Sequence, residues 1–164
     1  MEIALSSRQA CEVAGITYRK VDWWARTGIV LPSLVDAAGS GSRRRYSVED
    51  VRLLAVVGRV TETSPRAELA PLGRALDGLA VVEDWTGWVY LDARSGAVGR
   101  SPEILGGSVG WVLDLGRIDA EVKAGLDLIV ANAADDLRAA ETPAARPNYA
   151  ARYARPPARP GWPS

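Results

Sequence analysis

The 164-residue chain has no histidine and a single cysteine, Cys11. Histidine is the commonest general base and metal ligand, and one cysteine cannot close a disulfide within its own chain. These absences argue against a disulfide scaffold, most transition-metal sites and histidine-dependent catalysis. Cys11 falls on the first predicted helix beside an inward-facing alanine. We therefore expect its thiol to pack in the core.

Glycine motifs that bind nucleotides are also missing. Gly96-Ala-Val-Gly99 and Gly106-Gly107 are too short, and they do not link a strand to a helix as a dinucleotide fingerprint must. A nucleophile elbow is absent as well. We therefore expect that the protein is not an enzyme and has no cofactor, although a carboxylate-only site is left open.

Long apolar runs are absent too. No stretch reaches the roughly 20 residues that a membrane-spanning helix needs. The N-terminus also lacks the basic and apolar regions of a signal peptide. These observations predict a cytoplasmic protein without a membrane partner.

The net charge of zero is the sum of three unlike segments. Residues 1–60 hold nine basic against six acidic side chains, residues 61–136 six against thirteen, and residues 137–164 five against one. The chain therefore has a basic beginning, an acidic middle and a basic end. A basic segment is the electrostatic signature of a surface that attracts nucleic acid.

Two short helices joined by a glycine-containing turn are predicted near the N-terminus. Ser6 or Ser7 caps the first helix, and Gly15-Ile16 forms the turn. Thr17 caps the second helix, which ends at Gly28. Inward-facing side chains recur at helical spacing in both: Ala10, Val13, Ala14, Val21, Trp24 and Ala25. The pattern predicts a helix-turn-helix unit, whose second helix reads DNA in the major groove.

A β-ribbon is predicted after the second helix. Val30-Leu31 would form the outgoing strand, Gly39-Ser-Gly-Ser42 the tip and Arg44–Tyr46 the returning strand. Guanidinium groups at such a tip can contact phosphates or enter a narrow minor groove. The alternative for so short a basic run is a solvated loop. Three consecutive arginines lie there: Arg43, Arg44 and Arg45.

The order of these motifs resembles the MerR family of bacterial transcription regulators. Trp23-Trp24-Ala-Arg-Thr-Gly28-Ile-Val-Leu-Pro32 precedes Gly-Ser-Arg-Arg-Arg-Tyr46 and Ser47-Val-Glu-Asp50-Val-Arg-Leu-Leu54. The family has an aromatic pair, a Gly-Leu-Leu-x-Pro exit, a Gly-Tyr-Arg-x-Tyr wing and an Asp-Leu-x-Leu helix in this order. The resemblance covers residues 5–80, and the wing is most similar to an actinobacterial branch. Asp22-Trp23-Trp24 departs from the usual Arg-Tyr-Tyr, so a carboxylate replaces a common DNA-facing arginine.

The resemblance implies a winged helix-turn-helix that binds double-stranded DNA as a homodimer and bends or untwists promoters for RNA polymerase. Trp24 also fits core packing, since its ring is large and apolar. The residues expected at the DNA are Thr17, Tyr18, Arg19, Lys20, Trp24, Arg26, Arg43, Arg44, Arg45 and Tyr46. One alternative is an excisionase-type architectural protein. The other is a protein-interaction module with an exposed Trp85 or Trp88 and a degenerate DNA-binding head.

Two more helices are predicted after the wing. Ser47 caps the first, which runs to Val60, and its Arg52 and Arg59 point away from the core, toward the DNA backbone. A break at residues 61–65 precedes the second helix, over residues 66–79. Its leucines repeat at helical spacing and should pack on the preceding helix.

A small second domain is predicted beyond residue 80. Strands are expected at residues 85–92, 97–100 and 110–115, with a short helix at 101–105. A long amphipathic helix follows from Ile118, and it could cover the sheet or pair with its twin in a dimer. Gly125 in its middle favours a kink or a close contact.

The predicted fold class is α+β, in three parts. Residues 1–80 form the winged helix-turn-helix domain, residues 81–141 a small αβ domain for dimerisation or effector binding, and residues 142–164 a tail. The tail has six prolines and four arginines but almost no aliphatic side chains. Such a segment cannot bury enough apolar surface to order itself, so we expect it to be disordered.

Overall fold

The computed structural model describes residues 3–35, 44–65, 67 and 69–141. The chain divides into a large compact unit, residues 1–130, and a second unit, residues 131–164. None of the helices in the described part of the chain is long and apolar enough to span a membrane. In chain order the elements are β1 (Leu5–Ser6), α1 (Ser7–Ala14), α2 (Tyr18–Thr27), β2 (Arg45–Tyr46), α3 (Val48–Thr63), α4 (Leu69–Ala80), β3 (Trp88–Asp92), β4 (Val98–Gly99), a 3₁₀ helix (Pro102–Leu105), β5 (Gly110–Asp114) and α5 (Leu115–Glu141).

The helix-turn-helix forms where the capping residues predict it. The Ser6 hydroxyl accepts a hydrogen bond from the Gln9 N–H, and the Gln9 side chain accepts one from the Ser6 N–H, which closes a capping box. The Thr17 hydroxyl caps α2 by accepting from the backbone of its first turn. Gly15 and Gly28 end the two helices in the left-handed conformation, at φ 66° and 76°. Both predicted helices are therefore confirmed.

The wing differs from its prediction in the outgoing strand. Val35 exchanges two backbone hydrogen bonds with Arg45, of 3.3 and 2.8 Å, and so takes the place predicted for Val30-Leu31. Val30 is instead buried in the core, where its apolar side chain is removed from water. The returning strand β2 is confirmed, but it also pairs with β1, antiparallel. The predicted tip, Gly39-Ser-Gly-Ser42, lies outside the described residues.

Buried Asp50 fixes the start of the wing to α3. Its side chain accepts the Ser47 N–H, which completes the capping box of α3. The same carboxylate oxygen accepts the N–H and the hydroxyl of Ser33, each at 2.8 Å. Because the carboxylate of Asp50 is mostly shielded from water, these contacts hold the chain after Pro32 against the helix.

The helices α3 and α4 are shifted by a few residues from their predicted bounds. α3 continues past Val60 to Thr63, and the chain breaks only at Ser64-Pro65. α4 begins at Leu69 instead of residue 66. Its apolar stripe is buried as expected: Leu72, Ala75, Leu76 and Leu79.

A three-stranded antiparallel sheet follows, in the order β4-β3-β5. Its central strand starts at Trp88, three residues later than predicted, and its first four residues alternate between the surface and the core. Trp85 instead lies buried before the strand, with the guanidinium of Arg52 5.6 Å from its ring. The predicted turn, returning strand, short helix and third strand all form in order.

α5 begins at Leu115 and reaches back to the helix-turn-helix. Its Ile118, Val122 and Leu126 are buried in the same core as the residues of α1 and α3. A Cβ added to Gly125 would lie 3.1 Å from the Cα of Val13, so glycine permits a close approach to α1. Within residues 1–130, α5 thus packs on α1 as well as following the sheet, which the sequence did not predict.

Candidate nucleic-acid interface

The outward face of α2 carries a stripe of three long side chains. Val21, Trp24 and Ala25 are buried and define the inner face of the helix. At 3.6 residues per turn, Arg19, Trp23 and Arg26 lie opposite them, at i, i+4 and i+7. Arg19 and Arg26 are exposed, and Trp23 is 47% exposed between them.

Trp23 was missed as a candidate contact, although the sequence held the signal for it. The periodicity that places Trp24 inside the protein places its neighbour outside. Because an exposed tryptophan offers a large apolar ring and one N–H donor, it suits a surface that meets sugars, bases and phosphates.

The N-terminal residues of α2 divide between capping and exposure. Thr17 is engaged as the helix cap, while the ring of Tyr18 is 60% exposed. Lys20 is also exposed, but it lines a recess together with Arg59, Glu62 and Glu121. Lys20 therefore lies at the margin of the outward stripe and not at its centre.

Asp22 joins α2 to the base of the wing. Its Oδ1 lies 2.7 Å from Nη1 of Arg44, and its Oδ2 lies 3.0 Å from Nε of Arg26. The hydrogen bond from Arg44 is the main cause that holds the pKa of Asp22 below its usual value, and Arg26 lowers it further. The wing base and the outward stripe are thereby one connected surface.

The other two wing arginines contribute differently. Arg45 is half-buried in β2, and strand alternation turns its side chain to the face opposite Tyr46. Arg43 lies outside the described residues. Of the three predicted wing contacts, the structure thus places two beside the helix-turn-helix.

Two predicted contacts are instead core residues. Trp24 is 1% exposed and Tyr46 is fully buried, so neither presents a surface that DNA could touch. Burial is the main cause that raises the pKa of Tyr46, whose hydroxyl has no hydrogen bond of good geometry within the described structure, although Ser7 lies near it. Core packing was the alternative expected for Trp24. In the structure the rings of both Trp24 and Tyr46 pack in the core.

The direction predicted for Arg52 and Arg59 is corrected by the structure. Nε of Arg52 donates to Oδ1 of Asp119 at 2.8 Å, and Nζ of Lys123 lies 2.6 Å from the other oxygen. Arg59 pairs with Glu121. Both arginines of α3 are therefore directed to carboxylates of α5, not to a DNA backbone.

Replacing Arg52 by methionine is expected to lower the free energy of unfolding by about 2 kcal/mol at pH 7. Burial alone would raise the pKa of Asp119, but Lys123 and Arg52 together outweigh it and lower the pKa. Stabilisation from such a carboxylate is present above the unfolded pKa of about 3.9. It is lost as the pH falls through the lower folded value. Urea denaturation at several pH values should therefore show the two proteins converging in acid.

Arg117→Met is the matched control for Arg52→Met. Arg117 also pairs with a glutamate of α5, but its side chain is 71% exposed. A solvent-exposed pair of this kind contributes at most about 1 kcal/mol. Equal losses of stability in the two variants, or a loss from Arg52→Met that persists in acid, would contradict the assignment.

Two capped helices with a glycine turn, a strand-paired wing and a basic outward stripe define a winged helix-turn-helix domain. Residues 5–63 match the family model described as MerR HTH family regulatory protein. The resemblance seen in the sequence is thus confirmed for this segment, and the predicted α+β class is confirmed for the fold.

Relatives of this domain occur in mycobacteria. Over 54 residues the chain is 56% identical to HTH-type transcriptional regulators of Mycobacterium bovis and of two strains of Mycobacterium tuberculosis. The match covers 33% of this chain and 24% of each relative. The chain therefore matches about a quarter of the length of these curated relatives.

Proposed function

We propose that the protein is a sequence-specific transcription regulator that binds duplex DNA through α2 and the wing. The observation that carries this proposal is the continuous surface formed by Arg19, Trp23 and Arg26 with Arg44 at the wing base. It lies within a MerR-family domain and within the segment of the chain that is basic overall. Lysine and arginine supply most of the attraction of such proteins for DNA.

In the proposed complex, α2 lies in the major groove with its outward stripe toward the bases. Arg19 and Arg26 have the geometry to donate two hydrogen bonds to guanine O6 and N7. Arg45 and Arg43 serve the flanking phosphates, which fix register without reading sequence. Tyr18 and Lys20 extend the contact at the start of the helix, while Trp24 and Tyr46 support it from the core.

We propose further that the protein acts as a homodimer through residues 81–141. In such a dimer two copies of α2 enter successive major grooves, about 34 Å apart, and the bent promoter is presented differently to RNA polymerase. The support for this surface is on α5, where Leu128 and Val130 are 55% and 60% exposed. Residues two apart on a helix point to different sides of it, so each of two sides of α5 exposes one large apolar side chain of the kind found at interaction sites.

Replacing Leu128 and Val130 together by glutamate is expected to convert the dimer to a monomer in analytical ultracentrifugation. Burial of a leucine or valine contributes about 1.5–3 kcal/mol. Whichever of these two sides forms the interface, replacing one such residue in each protomer should therefore raise the dissociation constant at least about 100-fold. Ile3→Glu is the control, since Ile3 is 40% exposed and lies outside residues 81–141. A dimer that survives the double replacement would place the interface elsewhere.

A binding selection tests the proposed function. Purified protein is mixed with fragmented genomic DNA at low and moderate salt, and the retained fragments are sequenced. Recovery of an inverted repeat upstream of genes is the expected result. Salt-sensitive retention of all fragments alike would indicate an architectural binder, because phosphate contacts alone are sequence-independent. No retention at low salt would refute DNA binding and favour a protein-interaction module.

A further inference from the structure

We propose that Asp22 is a positioning residue for DNA recognition, which holds Arg26 and Arg44 in place and so raises the specificity of the interface. The inference rests on the proposed function, and it concerns a carboxylate at the centre of a surface that binds a polyanion. A negative charge in this position needs an explanation, because it opposes DNA binding when taken alone.

The contacts of Asp22 engage both of its oxygens. Oδ1 accepts from Nη1 of Arg44 at 2.7 Å, and Oδ2 faces Nε of Arg26 at 3.0 Å. Each guanidinium approaches a different oxygen, so the two contacts do not compete. One of them lies within α2, and the other spans 22 residues of sequence to the base of the wing.

The contact with Arg44 is largely shielded from water. The side chain of Arg44 is 16% exposed and that of Asp22 is 25% exposed. Charge-assisted hydrogen bonds between partly desolvated groups are stronger and better oriented than those at an open surface. The orientation of the wing base relative to α2 therefore depends on this carboxylate.

Removing the negative charge of Asp22 is expected to lower specific DNA binding, although charge attraction alone would predict stronger binding. Asp22 with Arg26 and Arg44 carries a net charge of +1, and removing the carboxylate raises this to +2. Added positive charge strengthens binding to phosphates of any sequence. Arg26 and Arg44 lose a shared contact, however, and ordering their guanidinium groups on specific atoms of the DNA then has a larger entropic cost, which weakens specific binding. Loss of Asp22 should therefore lower specificity while it leaves or raises non-specific affinity.

Asp22→Asn in the full chain tests this inference. The dissociation constant is measured for the selected duplex and for a scrambled duplex of the same length, at two salt concentrations. The ratio of the dissociation constant for the scrambled duplex to that for the selected duplex is expected to fall by about tenfold, through weaker binding to the selected duplex. A merely structural role would weaken binding to both duplexes by the same factor and lower the melting temperature.

Three further variants sharpen the result. Asp127→Asn removes one negative charge from an exposed position of α5 and should leave the ratio unchanged. Asp22→Glu keeps a carboxylate and should restore part of the specificity. Arg44→Gln should weaken binding to the selected duplex less in the Asp22→Asn background than in the wild type, because the effects of replacing two interacting residues are not additive.

The failure of this inference is distinguishable from that of the proposed function. Wild-type protein that prefers the selected duplex, together with an unchanged or increased ratio in Asp22→Asn, overturns the role of Asp22 alone. Wild-type protein that binds no duplex at low salt overturns the proposed function, and this inference with it.

Discussion

Trp24→Ala is expected to lower the free energy of unfolding by about 3–5 kcal/mol. The ring of Trp24 is 1% exposed and belongs to the same core as Val21 and Tyr46. Its removal leaves a cavity that the surrounding side chains can only partly refill. A loss of this size is a large share of the total stability of a domain, about 5–15 kcal/mol, and urea denaturation measures it.

Trp24→Phe and Trp23→Ala separate packing from DNA contact. Trp24→Phe removes the ring N–H but keeps most of the apolar volume, so it should fold and bind DNA nearly as well as the wild type. Trp23→Ala alters an exposed ring, so it should change stability by less than about 1 kcal/mol while it weakens DNA binding. A folded Trp24→Phe protein that no longer binds DNA would instead restore Trp24 as a phosphate donor.

Replacing Arg19 and Arg26 together by glutamine is expected to weaken binding to the selected duplex by about 2–4 kcal/mol. Each bidentate contact with a guanine contributes about 1–3 kcal/mol of discrimination, and the two arginines flank Trp23 in the outward stripe. The slope of log K against log salt concentration should also fall by about 1–2, since two fewer cations meet the DNA. Titrations of labelled duplex at several salt concentrations provide both quantities.

Arg94→Gln with Arg117→Gln is the matched control for that double replacement. It removes the same charge from exposed positions outside the helix-turn-helix. Specific binding should change by less than about threefold, because surface charges away from a contact act only through screened attraction. If the control weakened binding as much as the stripe variant, the attraction would be one of overall charge and the recognition role of α2 would be excluded.

The helix-turn-helix could be predicted almost completely because its signals are local. Ser6 and Thr17 cap their helices, and Gly15 and Gly28 end them, through hydrogen bonds that reach only three to five residues along the chain. The burial of Val21 and the exposure of Arg19 follow from helical periodicity alone. The same rule applied to Trp23 and Trp24 would have separated them.

The start of the wing was predicted less well because burial competes with strand propensity. Val30 has a side chain typical of strands, but it is buried in the core, and Val35 pairs with Arg45 instead. Trp85 likewise leaves the predicted strand and packs beneath Arg52. In both places the tertiary environment outweighs the local preference.

The partition at residue 80 stays a prediction. One continuous core runs from Leu5 to Leu126 within residues 1–130, and α5 approaches α1 at Gly125. The roles of the proposed DNA contacts likewise await the binding experiments.

The sequence by itself determined the family of the first domain, the capped helices, the α+β class and the basic residues of α2. Only the tertiary structure decided which charged residues remain at the surface that we propose for DNA binding. Arg52 and Arg59 find their partners 67 and 62 residues away, and Asp22 meets Arg44 across 22 residues. A cap or a helical face is decided within one or two turns of chain, whereas an ion pair requires the whole core to bring distant residues together.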